Sequence, residues 1–165
     1  MRQVVVGCCL FVSVLWLSFS AVFFFFPLTP LQEDVRSFLN TGEGVLGFSE
    51  EANNHMVDVF NVLRVFQVVG FLSLLVVLYS SIQAGVVRVV GYVLVSLPVL
   101  LALLPWSVLF RYFHLVFFPM GNWQFPPDSL LIQTYPESFF VLFSAAWACL
   151  LVLIGVVFVW FTKKV

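Results

Sequence analysis

The sequence predicts an all-α membrane protein, a four-transmembrane-helix bundle with a small extracytoplasmic cap. Three observations predict it. First, the 165 residues are 62% hydrophobic and only 9% charged, with a mean hydropathy of +1.12. A soluble domain is roughly half apolar and about a quarter charged, so this much apolar surface belongs in a bilayer. Second, the apolar residues gather into four runs. Third, the charges separate onto two sides. The net charge is −1 and no basic patch stands ready for phosphates, so nucleic acid is not an expected partner.

The runs lie at about 4–26, 59–82, 86–109 and 139–161, within one integral membrane domain spanning 1–165. Each can cross roughly 30 Å of hydrocarbon at about 1.5 Å per residue. The first ends at Pro27 and lacks a small-residue cleavage pattern, so it reads as a retained span. The third contains Pro98 and Pro105 as expected kinks. Cys8, Cys9 and Cys149 sit inside spans, without CxxC or metal spacing, and read as small apolar residues.

Arg2, Arg88, Lys163 and Lys164 fall at the two termini and the short second connection, all on one side of a four-span chain. The positive-inside rule makes that side cytoplasmic, with both termini there. The acids fall on the other side, with both histidines and with Arg36, Arg64 and Arg111. The long connections, 27–54 and 110–137, are therefore outer cap loops on the extracytoplasmic face. In the first, PLQEDVRSFL reads as a short amphipathic helix with Leu31, Val35, Phe38 and Leu39 on one face. NTGEG is a turn and VLGF a candidate short strand.

The histidines draw attention because each sits at the outer end of an apolar run. His55 and Asp58 share a helix face, with Asn53 or Asn54 as helix cap and Arg64 about 13 Å further along the axis. Asp58 complements a helix dipole or orients His55 and fixes its tautomer. His114 lies at the same depth, in RYFHLVFFPMGNWQF at 111–125. Around these converge Arg111, Asn122, Trp123, Gln124, Asp128, Tyr135 and Glu137. Two histidines and an acid are a weak zinc set and no HExxH is present, so no metal and no cofactor are expected. No GxSxG elbow occurs. Ser129 and Ser138 are nucleophile candidates by position only.

HMVDV at 55–59 and FHLVFFPMGNWQFPPDSLLIQTYPESFF at 113–140 carry a resemblance. In the order His, paired Phe, Trp, aromatic-Pro, Asp, Leu-Ile, Tyr-Pro and Phe-Phe, the chain resembles the lipoprotein intramolecular transacylases, small four-span bacterial membrane proteins. The resemblance implies a substrate lipoprotein whose N-terminal cysteine carries an S-diacylglyceryl group and a free α-amine. It implies transfer of the sn-2 acyl chain to that amine, giving a lyso-form lipoprotein, with His55 and His114 as the catalytic pair. Diacylglyceryl-modified lipoproteins and membrane lipids are then the partners.

The residues suit that chemistry. A near-neutral histidine can take the amine proton and return one to the leaving alkoxide, while its partner stabilises the oxyanion. His55 is favoured as base because Asp58 can orient it. His114, Arg111 or Asn122 would face the oxyanion, with Arg64 in support. The substrate pocket is expected from Phe117, Phe118, Trp123, Phe125, Asp128, Tyr135 and Glu137, with Phe110 and Phe113 in the wall. No acyl-enzyme is needed. The alternatives are a non-enzymatic four-span scaffold or assembly factor, whose aromatics form an interfacial belt, and an outer-face membrane hydrolase.

Overall fold

A computed structural model describes residues 1–44 and 46–163, with Lys164 outside them, and among these described residues the chain forms seven helices. In order they are α1 (Arg2–Phe25), α2 (Pro30–Thr41), α3 (Glu50–Leu78), α4 (Ala84–Leu101), α5 (Trp106–Phe117), α6 (Leu130–Thr134) and α7 (Glu137–Thr162). The described residues contain no strand. The strand expected at VLGF does not form over Leu46–Phe48, and Val45 lies outside the described residues. Four helices, α1, α3, α4 and α7, are long and apolar enough to cross a membrane.

Two expected boundaries move for local reasons. α3 begins at Glu50, a turn before the start expected from a cap at Asn53 or Asn54, and ends at Leu78. Ser49 starts it, its hydroxyl accepting from the Ala52 amide at 3.3 Å, so Asn53 and Asn54 are not the caps. The expected third span, 86–109, is two helices. Pro98 is held inside α4, but α4 stops at Leu101 and α5 restarts after Pro105. Proline has no N–H to continue the ladder and its ring crowds the preceding turn. α5, which begins after the break, carries His114.

By internal contact the chain divides into two compact units. One comprises Met1–Phe25, Phe66–Leu104 and the chain from Phe143. Its core is Leu10, Val14, Val90, Leu94 and Leu151. Phe19 is a hub of rings, edge-on to Phe66 at 5.6 Å and to Trp147 at 5.4 Å. The Trp147 indole donates to the Ser18 hydroxyl at 2.9 Å, so a polar tip inside the unit is satisfied. α4 and α7 meet at Gly91 and Gly155, where a Cβ on Gly91 would lie 2.9 Å from the Gly155 carbonyl oxygen. Val68, Phe71 and Leu72 of α3 stay exposed, as lipid-facing residues do.

The other unit comprises Phe26–Val65 and Pro105–Leu142. α2 starts on a reciprocal capping box between Thr29 and Gln32 and ends at Gly42 in the left-handed region (φ 77°). Val35, Phe38 and Leu39 are buried as the amphipathic pattern requires, while Leu31 is only partly covered. Gln32 is buried too. Its Oε1 accepts from Thr29 N at 2.9 Å and its Nε2 donates to the Thr134 carbonyl at 2.7 Å, tying α2 to α6. Ser129 caps α6, its hydroxyl accepting from the Ile132 amide at 3.3 Å.

The α4–α7 contact leaves no space for a side chain. Gly91→Val should lower stability by about 1–3 kcal/mol, read as an earlier thermal unfolding midpoint in detergent. Gly85→Ala, where a Cβ meets nothing within 4 Å, should leave the midpoint unchanged within error.

Candidate active site

His55 projects from the second turn of α3 and His114 from the last turn of α5. The break at Pro105 and the early start at Ser49 place both on helix rather than loop. Their ring centroids are 6.2 Å apart with planes 27° from parallel. Only 7% of His55 and 8% of His114 is exposed. The rings face one another across a gap wider than van der Waals contact, so one small group could be addressed by both.

An aromatic shell encloses the pair. Phe118 meets His55 edge-on at 4.8 Å and Phe125 lies 5.6 Å from it. Phe110 and Trp123 lie against His114 at 4.1 and 4.8 Å, and Phe113 is edge-on at 5.4 Å. Burial holds the His114 imidazole below its ordinary pKa, a hydrogen bond with the Phe110 carbonyl opposing. That bond is 2.8 Å long at Nδ1. A carbonyl only accepts, so Nδ1 carries the hydrogen and the neutral ring keeps its lone pair at Nε2.

The hydrogen bond expected from Asp58 to His55 is not formed. Asp58 accepts instead from the Asn122 side-chain amide, and His55 Nδ1 is buried without a partner. The strut from α3 to the 118–129 loop has a clear geometric cause. Gly121 takes a positive φ of 78°, turning the chain so that Asn122 meets Asp58 while Trp123 and Phe125 reach the histidines. Asn122 Oδ1 and Trp123 Nε1 are also buried without partners. Three such atoms gathered at one place are unusual for a folded interior, where buried polar groups are nearly all paired.

Beside the pair lies a cavity of about 580 Å³ lined by Trp106, Ser107, Phe110, Arg111, Trp123, Gln124, Ile132, Tyr135, Glu137 and Phe140. Phe110 and Trp123 are shared between its wall and the shell of His114. Burial raises the Tyr135 hydroxyl above the usual phenol range, with Arg36 lowering it and Glu33 raising it further. Among the described residues no group of three His, Cys, Asp or Glu is placed to hold a metal ion.

The sequence-predicted residues divide cleanly. His55, His114, Asp58, Asn122, Phe118, Trp123 and Phe125 come together, and Arg111, Tyr135 and Glu137 line the cavity. Three go elsewhere. Arg64 donates to the Asn40 carbonyl at 3.2 Å and lies over the Phe60 ring. Phe117 is half-exposed and packs on Phe113. Asp128 is exposed, and its backbone carbonyl accepts from Gln133. Trp106, Ser107, Ile132 and Phe140 of the cavity wall were not anticipated. Trp106 and Ser107 were hidden inside an assumed span, and Pro105 was the signal that the span had ended.

Fold and site together define a small polytopic membrane protein, all helical, with a buried histidine pair in an aromatic shell beside a mixed polar and aromatic cavity. The sequence profile of the lipoprotein intramolecular transacylase Lit matches residues 28–140. The chain belongs to this family and is an acyltransferase of that type, acting within a lipoprotein substrate. In solved structures it is similar to the membrane-integral lipoprotein intramolecular transacylase Lit from Bacillus cereus, determined in meso. The TM-score is 0.81 at 19% identity, over 99% of this chain and 93% of that one. A His-to-Arg variant of the same enzyme gives a TM-score of 0.79 at 18% identity, over 99% and 89%. At this identity the two likenesses establish the fold. No curated protein matches the chain by sequence.

The Asp58–Asn122 strut should be energetically coupled. In a double-mutant cycle with Asp58→Ala and Asn122→Ala, thermal unfolding should show a coupling of about 1.5–3 kcal/mol. Strictly additive losses would mean the two side chains act independently.

Proposed function

We propose that the protein moves the acyl chain from the glyceryl sn-2 oxygen of an S-diacylglyceryl-cysteine lipoprotein onto the α-amine of the same cysteine. His55 and His114 are the catalytic pair, no acyl-enzyme forms, and the reaction takes place on the extracytoplasmic face of a bacterial cytoplasmic membrane. The observation that carries this reading is the buried pair of imidazoles, 6.2 Å apart in an aromatic shell. The asymmetry of charge supports the placement: Arg2, Arg88 and Lys163 lie at one set of chain connections and the acids at the other.

The donor ester and acceptor amine are on one molecule. The amine nitrogen attacks the ester carbonyl carbon, closing a ring through N, Cα, Cβ, S, two glyceryl carbons, the ester oxygen and the acyl carbon. The N–C bond forms, the C–O bond breaks, and the amine proton ends on the glyceryl oxygen. A flexible chain closes such a ring rarely. Holding both ends in position can supply about 7–11 kcal/mol, and a stiff wall of Phe110, Phe118, Trp123 and Phe125 supports that without reacting.

The proton needs a base near the amine. His114 suits the task better than His55, because its hydrogen bond to the Phe110 carbonyl leaves Nε2 free to accept. This exchanges the roles expected when Asp58 was taken to orient His55. His55 and the unpartnered Trp123 indole are then the donors nearest the developing oxyanion. Water would divert the ester to hydrolysis, and an aromatic shell keeps it out.

His55→Ala and His114→Ala should each lower transfer by about 10²–10⁴-fold while circular dichroism is retained; Asp58→Asn should slow it less. Tandem mass spectrometry of a diacylglyceryl lipopeptide reads the reaction, since the parent mass is constant and only the fragment carrying the N-terminal cysteine gains the acyl chain. Loss of a fatty acid would indicate hydrolysis instead, and full activity in either alanine variant would remove that histidine from the site. The acid limb of kcat/KM is expected near the substrate α-amine pKa, about 7.7–8.0, because only the neutral amine attacks. Burial depresses the His114 pKa, so with a substrate amine of lower pKa the limb should move down with the amine; a limb that stays fixed at or above about 6.5 would argue against His114 as base.

A further inference from the structure

The cavity beside the histidine pair holds two opposite charges that are not paired with each other. Arg111 of α5 and Glu137 at the start of α7 both line it. Among the described residues neither makes an ion pair or a hydrogen bond. Ser107 and Gln124 add a hydroxyl and an amide. Arg111, Gln124 and Glu137 are exposed, so they present polar groups at the open side of the cavity, where an acyl chain would gain nothing from them. An extended peptide supplies partners for them, with carbonyls for a guanidinium and N–H groups for a carboxylate.

Connectivity says which part of the substrate begins here, on the transacylation reading given above. The attacking nitrogen is bonded to the cysteine Cα, and that Cα carries the carbonyl with which the peptide starts. The peptide therefore leaves from two bonds beyond the atom the histidines serve. The cavity has the right position for it, because Phe110 and Trp123 form its wall and also lie 4.1 and 4.8 Å from His114. The transferred acyl chain extends from the ester carbonyl and the sn-1 chain from the glyceryl backbone, so neither begins at the cysteine Cα.

We propose that this cavity is a subsite for the first peptide residues after the modified cysteine. Arg111 donates to a peptide carbonyl and Glu137 accepts from a peptide N–H. The enzyme then reads a short stretch of peptide as well as the lipid.

The test uses the full chain in detergent and three substrates: S-diacylglyceryl-cysteine amide, and the same group extended by two and by four uncharged residues. N-acyl product is quantified by tandem mass spectrometry. In the wild type, KM should fall by about tenfold or more from the cysteine amide to the extended substrates, as expected for gaining a charge-assisted hydrogen bond. In the Arg111→Gln/Glu137→Gln variant that length dependence should shrink to within about threefold. The same KM for all three substrates in the wild type would overturn the proposal, whether or not the variant folds. So would a variant that weakens every length equally, which would assign the charges to the glyceryl group or to a lipid headgroup. Absence of N-acyl product from any substrate would be a different failure, that of the transacylation reading itself.

Discussion

Everything at the site depends on keeping two imidazole rings buried side by side in aromatic surroundings. Charges that close interact strongly where water is scarce, and an imidazolium loses hydration when it is buried. A pair of cations would be repelled by each other and poorly solvated by the phenyl rings. Burial and close approach both disfavour charging the two rings together. Phe110, Phe113 and Trp123 on one ring, and Phe118 and Phe125 on the other, make the site receptive to a proton in transit and hostile to a resident one. Amine attack asks for that property, because a base that is already protonated cannot take the amine proton.

The shell in turn depends on chain breaks. α4 stops at Leu101 and α5 restarts at Trp106 after Pro105, and His114 lies in the last turn of that second helix. A second device is the strut from Asp58 to Asn122, which fixes the loop bearing Trp123 and Phe125 to the same helix turn as His55. The acid is thus spent on holding the aromatic wall. Its charge is met by an amide, so the loop is anchored by a charge-assisted bond without a cation being brought beside the histidines.

Much of this was legible in the sequence. The four apolar runs, the amphipathic α2 and the convergence of the histidines follow from composition, period and position, since each rests on a pattern repeated over many residues. The identity of the shell was largely legible as well, because Phe118, Trp123 and Phe125 crowd into one short segment. What could not be read were single local choices. The apolar run through 86–109 looks the same whether Pro105 kinks one helix or separates two. Asp58 lies one turn from His55 in sequence, yet its partner comes from a residue sixty-four positions away. Arg64 was drawn to the site by its place on the same helix, and a nearer carbonyl at Asn40 and the Phe60 ring claim it. Helical spacing gives direction, but it does not say which of several polar groups arrives first.

Transfer and hydrolysis share the same electrophile, and a histidine that deprotonates an amine can as well deprotonate water. The discrimination must come from what occupies the space beside the base. On the proposed assignment, Nδ1 of His114 is committed to the Phe110 carbonyl, which leaves Nε2 as the nitrogen to act, and the rings around it offer water few partners. A covalently tethered amine needs no such partners, because its position is fixed by the substrate it belongs to. On the proposed reading, selectivity for transfer rests on aromatic surroundings where the base acts and polar groups a short distance away. The polar groups there can hold the tethered part of the substrate without wetting the reacting carbonyl.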